Sequence, residues 1–366
     1  MRPPRSAWAL AALAAAALAC QTVLAPTETV PTPAPLPTPT PPRTRPTVAA
    51  TATAERELGL SRGAPLPGDQ PAELPAMTVT VLEVVRGTEA WERLAQANMF
   101  NEPAPEGQEY LLIQLQVDVT RGDSPREVGD ADFKVTGDLR RRYFAAAVVP
   151  PEPELSAELR AGESASGWAA YLIGVDEANL LLMVDPLDNP DETPPYFLTL
   201  EPGALVAVDA GLNQISPTDL GTDPAEPAPL GATVVSEDWE VTVRASLRGE
   251  EAWAMAQAAN QFNDPPLPGM EYIAVQVQVR AIHTQDSLVF IDGYAFKTQD
   301  RDGRRYDPPS VVDPEPALDA ALFPGGTYLG WVVVQTPLRA PVVLVFQPFL
   351  DFDNVNERFL ALIPQE

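Results

Sequence analysis

The chain has 366 residues, 24 of them basic and 51 acidic, for a formal net charge of −27 at pH 7. A field of that sign repels phosphate backbones and anionic headgroups, so nucleic acid is excluded as a natural partner and cations or basic surfaces are favoured. One histidine and one cysteine leave His/Cys zinc sites and intramolecular disulfides without the residues they need.

The N-terminus reads "MRPPRSAWALAALAAAALAC": Arg2 and Arg5, an apolar run over residues 7–18, then Ala19 and Cys20. A basic head, a short apolar stretch and small residues at the break are the parts of a secretory signal. The run falls short of the roughly 20 apolar residues that span a bilayer. "ALAC" resembles the bacterial lipobox, with Ala17 where Leu is typical. The resemblance implies a lipoprotein signal peptide over residues 1–20, lipidation of Cys20 as the new N-terminus, and a protein anchored in the cell membrane on its extracytoplasmic face. Several acyl chains on one cysteine suffice for stable anchoring. Removing Arg2 and Arg5 with the signal leaves 22 basic residues against 51 acidic. Residues 21–70 follow, dominated at first by Pro, Thr and Ala, and are expected to form a disordered linker. A polyproline-like spacer rises about 3.1 Å per residue, so thirty such residues reach roughly 90 Å. Its composition also suits O-glycosylation.

From Met77 onward the chain repeats itself. Trp91, Asn98, Gly107 and Tyr110 recur as Trp253, Asn260, Gly269 and Tyr272 at an offset of 162. Lys134, Tyr143, Gly162 and Trp168 recur as Lys297, Tyr306, Gly325 and Trp331 at 163. The expected division is a first domain over 71–204, a Pro/Asp/Gly-rich connector over 205–230 and a second domain over 231–366. Each copy reads as strands. "MTVTVLEVV" and "DWEVTVRASL" alternate β-branched residues, and "EYLLIQLQVDV" and "EYIAVQVQVRA" alternate strictly. Ile113, Leu115, Val117 and Val119 share one face, opposite Tyr110, Gln114 and Gln116. That pattern predicts a buried face and a wet one. The Asp-Gly of "FKTQDRDGRRY" marks a tight hairpin. "ASGWAAYLIGV", "YLGWVVVQTP", "LLLMVDPL", "PVVLVFQPFL", "FLTL" and "FLAL" complete about seven short strands per copy. The predicted class is all-β: two tandem immunoglobulin-like antiparallel sandwiches, each with a short helix inserted after its first strand.

The order "VTVLEVVRG", "EYLLIQLQV", "DGRRY", "LRAGESASGW" and "LFPGGTYLGW" resembles a bacterial module of unknown function that has an immunoglobulin-like sandwich and often sits in tandem behind a lipoprotein signal and a Pro/Thr-rich spacer. The resemblance covers residues 77–202 and 239–364. It implies fold and location, and it brings no catalytic residues.

The phrase "ANMFNEPAPEGQEY" returns as "ANQFNDPPLPGMEY". "TEAWERLAQAN" and "EEAWAMAQAAN" predict short helices, with Trp91 plugging one end of the sandwich and Asn98 or Asn260 in a left-handed closing position. The alternative reading makes Asn98, Asn101, Glu102, Glu109, Asn260, Asn263, Asp264 and Glu271 oxygen ligands for calcium, which takes six to eight. Turn formation explains the same residues. The two lysines, Lys134 and Lys297, fall at equivalent positions, which common ancestry and a polar strand face explain. His283 has no counterpart in the first copy, so carboxylate chemistry, such as a hydrolase pair, is the enzymatic route left open. No local signature selects such a pair. The expected function is therefore non-enzymatic: two domains that bind an extracytoplasmic protein or glycan partner, or that brace the envelope, without a cofactor unless calcium serves.

Overall fold

The computed structural model describes residues 58–186, 194–349, 351 and 353–362. The signal segment, Cys20 and residues 21–57 of the spacer lie outside the described residues. The described residues belong to one compact unit.

Copy 1 contains β1 (Ala72–Glu73), β2 (Met77–Arg86), α1 (Thr88–Ala97), β3 (Gln108–Val119), β4 (Arg126–Gly129), β5 (Phe133–Thr136), β6 (Ser156–Leu159), β7 (Ser164–Gly174), β8 (Leu181–Val184) and β9 (Tyr196–Thr199). Copy 2 contains β10 (Thr233–Val235), β11 (Trp239–Arg248), α2 (Glu250–Ala259), β12 (Met270–Ala281), β13 (Val289–Asp292), β14 (Phe296–Asp300), β15 (Arg305–Tyr306), β16 (Asp319–Leu322), β17 (Thr327–Pro337), β18 (Val342–Phe346) and β19 (Arg358–Ala361). In copy 1 the sheets run β1-β2-β3-β7 and β5-β8-β9, with β4-β6 a separate pair. In copy 2 they run β10-β11-β12-β17 and β15-β14-β18-β19, with β13-β16 the pair. Every ladder between these strands is antiparallel. The chain is thus all-β, two immunoglobulin-like sandwiches in tandem. The short β4-β6 and β13-β16 pairs are additions to the expected strands; each strand has only four residues, too few for an alternation to stand out.

Each sandwich encloses an apolar core. Ile113, Leu115 and Val117 of β3 meet Phe133, Leu182 and Leu198 of the facing sheet. Val275, Val277 and Val332 meet Phe296, Leu344 and Leu360 in copy 2. Alternation puts odd-numbered β3 residues into this core, as their period of two requires. The opposite face departs from the expected wet surface. At one end Tyr110 and Leu112 are buried under α1, with Ala90, Leu94 and Trp168, and the equivalent cluster of copy 2 holds Ala252, Ala256, Tyr272 and Ala274. Gln114 and Gln116, further along, remain partly exposed. The helix therefore lies on the outer face of the larger sheet, and Trp91 is a half-buried lid over Tyr110 instead of a plug at the end of the sandwich. A ten-residue helix has one apolar stripe, and the outer face of β3 is where it finds cover.

The expected linker boundary at residue 70 also needs correction. Residues 58–70 are folded onto β9: Leu66 N–H donates to Phe197 O at 2.8 Å, Thr199 N–H to Leu66 O at 2.9 Å, and Gly68 N–H to Thr199 Oγ1 at 2.8 Å. In copy 2 the expected connector does the same, with Ala228 N–H to Phe359 O at 2.9 Å and Ala361 N–H to Ala228 O at 2.8 Å. The repeated unit begins near Gly59 and Gly221, upstream of the expected starts at 71 and 231. Gly and Pro in these stretches read as linker, yet the free edges of β9 and β19 offer backbone groups that need partners.

The copies contact each other. Arg142 N–H donates to Ala321 O and Phe323 N–H to Arg140 O, both at 2.9 Å, flanking a bridge between Arg141 and Leu322. Phe323 packs with Met183 and Phe197 on the outer face of β8 and β9. Arg62 crosses to copy 2, where Asp286 accepts from its Nε at 2.9 Å and its Nη2 at 2.7 Å.

Candidate functional site

The repeated phrase forms a displayed loop in each copy. Arg86 and Arg248 end the strands β2 and β11, whose registers against β3 and β12 shift between Val81 and Glu83 and between Val243 and Ala245. Gly87 (φ 67°) and Gly249 (φ 70°) then turn the chain into the helix. A side chain there would adopt an unfavourable left-handed backbone, and at Gly87 a Cβ would come within 2.9 Å of the Glu109 carboxylate. Asn98 and Asn260 end the helices in extended conformation, φ −150° in both, and not in the left-handed region. The reason lies in the bonds that follow. Asn98 Oδ1 accepts from Phe100 N–H at 2.9 Å and Asn260 Oδ1 from Phe262 N–H at 3.0 Å, an Asx turn that needs the extended geometry.

Asn101 and Asn263 are the clasps. Asn101 Nδ2 donates to Leu94 O (2.9 Å) and Val149 O (2.8 Å), while its Oδ1 accepts from Val149 N–H (2.9 Å). Asn263 does the same with Ala256 O (2.7 Å), Val312 O (2.9 Å) and Val312 N–H (2.8 Å). Glu102 and Asp264 take part through backbone carbonyls, each accepting from a tyrosine hydroxyl, Tyr110 or Tyr272, at 3.0 Å. Burial raises both tyrosine pKa values. Glu109 pairs with Arg86 (Nε, 2.9 Å) and Glu271 with Arg248 (Nε, 3.0 Å) and the Arg339 amide.

Six of the eight residues considered for calcium lie in two equivalent loops, with Glu109 and Glu271 at the starts of β3 and β12, and their side chains do not converge on a common point. The Asn98 and Asn260 oxygens close turns, those of Asn101 and Asn263 accept from Val149 and Val312 N–H, and Glu109 and Glu271 face arginines. Among the described residues no group of three or more His, Cys, Asp or Glu gathers as a metal set. Beside exposed Glu102, Glu106 and Asp264, the loops present large apolar side chains to solvent: Phe100 is 82% exposed and Phe262 83%, with Met99 at 84%. Val149 and Val312, bonded to the clasps, are exposed beside them.

The other singled-out residues separate. Lys134 is buried and donates to Asp185 O at 2.7 Å, whereas Lys297 pairs with the exposed Asp307 at 2.8 Å. Equivalent position has not kept equivalent surroundings. Asp300 of "DRDG" turns its Oδ1 onto the amides of Asp302 (3.0 Å) and Arg304 (2.9 Å), as a hairpin residue does. His283 Nε2 lies 2.9 Å from Ser287 O.

One feature escaped the sequence reading. Burial pushes the Asp313 carboxyl up to about 6, against a hydrogen bond from Val333 N–H (2.7 Å) and with Asp292 adding to the rise. It lines a hollow of about 280 Å³ with Asp292, Tyr294 and Asp319. Copy 1 has Pro150, Gly129, Ala131 and Ser156 at the corresponding positions. The signal for this acidic hollow was therefore the difference between the copies, not their likeness.

No family model and no curated protein matches the chain. Among solved structures it is similar to a candidate lipoprotein, ycdA, of Bacillus subtilis, at 15% identity and a TM-score of 0.28, over 36% of this chain and 38% of that one. It is also similar to the yjhA protein of Bacillus subtilis, at 11% identity and a TM-score of 0.27, over 37% of this chain and 99% of that one. A third is a β-sandwich protein of Clostridium difficile 630, at 10% identity and a TM-score of 0.24, over 37% of this chain and 92% of that one.

Proposed function

We propose that the protein is an exported, lipid-anchored and non-enzymatic component of the cell surface, whose two sandwiches bind an extracytoplasmic protein or glycan partner or brace the envelope. The observation that carries the binding role is the pair of clasped loops. Each spends a helix, a glycine turn and two asparagines to hold a phenylalanine in solvent, where it contributes nothing to the core. Exposed aromatics on rigid supports are the residues that anchor interfaces, because they bury much area at low conformational cost. The anchor rests on the basic head, the apolar run and Cys20.

Three experiments test this. Growth with a labelled palmitate analogue labels the wild-type protein and leaves Cys20→Ser unlabelled; equal labelling refutes the anchor. Retention of purified protein on isolated cell envelopes falls in Phe100→Ala/Phe262→Ala while the melting temperature stays constant; unchanged retention refutes the loops as the binding element. Turnover of a glycan or ester substrate that disappears in Asp313→Asn would replace the non-enzymatic reading with carboxylate catalysis.

A further inference from the structure

The contact between the copies is head to tail. Copy 1 supplies a clasp face: Arg62, the hairpin arginines Arg140, Arg141 and Arg142, Phe144, and Phe197. Copy 2 supplies a receiver edge: the β13-β16 pair with Asp286, Leu288, Phe290 and Phe323. Arg62 lies 3.9 Å over the Phe323 ring, Arg142 lies 4.3 Å from Phe144 and 4.8 Å from Phe290, and Arg141 donates to Thr327 O at 2.9 Å. A heterologous contact between like units leaves one face of each kind unused and, unless something stops it, propagates into rings or fibres. Copy 1 has an unused receiver edge at β4-β6, and copy 2 has an unused clasp face around β14-β15.

Both unused faces differ from the used ones at the residues that make the contact. On the free receiver edge Asp123 matches Asp286, but Pro125 stands for Leu288, Glu127 for Phe290 and Arg160 for Phe323. All of these are exposed in copy 1. On the free clasp face Pro224 stands for Arg62, Gly303 for Arg140 and Asp307 for Phe144. The matching of Arg62 with Pro224 rests on geometry as well as on numbering, since Gly59 and Gly221 take the same place against Phe197 and Phe359. Arg305, the counterpart of Arg142, lies across its own sheet: it pairs with Glu357 at 2.7 Å, donates to Gln299 at 2.9 Å and lies 6.0 Å from the ring of Phe359, the counterpart of Phe197. The position that Phe323 fills against copy 1 is thus taken up in copy 2 by the copy's own arginine.

We infer that Pro125, Glu127 and Arg160 on one free face, and Pro224, Gly303 and Asp307 on the other, are specificity-determining residues that confine the sandwich-to-sandwich contact to the two copies of one chain. The partner of each used face is the other copy of the same molecule, and a second molecule meets charge where the internal partner meets a phenylalanine. Desolvating Glu127, Arg160 and Asp307 at such a contact costs free energy where the internal contact buries phenylalanines, and Arg305 is already held by Glu357.

The test uses residues 53–366 in sedimentation equilibrium. Wild type is expected to be monomeric. A receiver-restored variant, Pro125→Leu/Glu127→Phe/Arg160→Phe, and a clasp-restored variant, Pro224→Arg/Gly303→Arg/Asp307→Phe, are each expected to be monomeric alone and to form a one-to-one complex when mixed. A chain carrying all six changes forms head-to-tail chains whose mass grows with concentration. Circular dichroism and melting identify any variant that has not folded. In that case wild type and the single change Glu127→Phe decide, the latter adding detectable association with the clasp-restored variant. A wild type that self-associates and loses that association on Glu127→Lys overturns the inference. So does a mixture of folded, restored variants that remains monomeric.

Discussion

Arg62 has no exposed surface, so its counter-charge must come from within the protein. Burial lowers its guanidinium to about 10 and Asp286 acts against that fall. Removing one partner of such a pair leaves the other uncompensated, which costs about 3–5 kcal/mol. Arg62→Ala should therefore destabilise residues 53–366 by about that amount in urea unfolding, and Arg62→Ala/Asp286→Ala by less than the sum of the single changes. Asp313 gives the opposite case. Its folded-state pKa of about 6 lies above the ordinary carboxylate value near 3.9, so its contribution is fully present below about pH 4 and is lost as pH rises through about 6. Asp313→Asn keeps an oxygen for Val333 N–H and has no charge to bury. The melting temperature of Asp313→Asn relative to wild type is expected to be lowest near pH 4 and to rise by pH 7; a difference independent of pH would place the carboxyl in an ordinary environment.

At the scale of elements, the helix and its loop separate stability from display. Asn101 makes three hydrogen bonds that tie the end of α1 to the exposed segment at Val149, and Asn101→Ala loses them, for a cost of about 0.5–1.5 kcal/mol. Leu94, fully buried against the outer face of β3, should cost about 2–5 kcal/mol as Leu94→Ala. Phe100→Ala should stay within about 0.5 kcal/mol of wild type in the same denaturation series. Because the loop oxygens close turns, exchanging chelator for millimolar calcium should leave the melting temperature unchanged; a rise would assign the loops to the ion. The helices and the alternating strands were legible because each is long enough to show its period. Glu109, Asn98 and Asn101 were legible as a repeated group but not in their roles, since an asparagine that closes a turn and one that binds an ion look alike in sequence, and Arg86, the partner of Glu109, was not seen at all. The extended φ of Asn98 was hidden for the same reason: it follows from the bond to Phe100 N–H, not from the preference of the residue. Residues 58–70 were misread because their pairing with β9 is long-range, and Gly and Pro there carry the local signature of a spacer.

On the scale of the whole molecule, the duplication was read from matching residues, while the contact between copies was written in the mismatches. Arg62 against Pro224 and Phe323 against Arg160 look like drift until the interface is known. The acidic hollow at Asp313 is another such difference. Each copy is a complete sandwich with its own apolar core, and the two are held together by the Arg62, Phe323 and hairpin contacts. Cutting between them tells the two properties apart. With a protease site placed in the exposed residues 216–218, the cleaved halves of residues 53–366 should remain associated and folded in wild type, and should separate as two folded species in Arg62→Ala/Phe323→Ala. Halves that part without any substitution would contradict the docking, and halves that unfold once apart would contradict the independent cores.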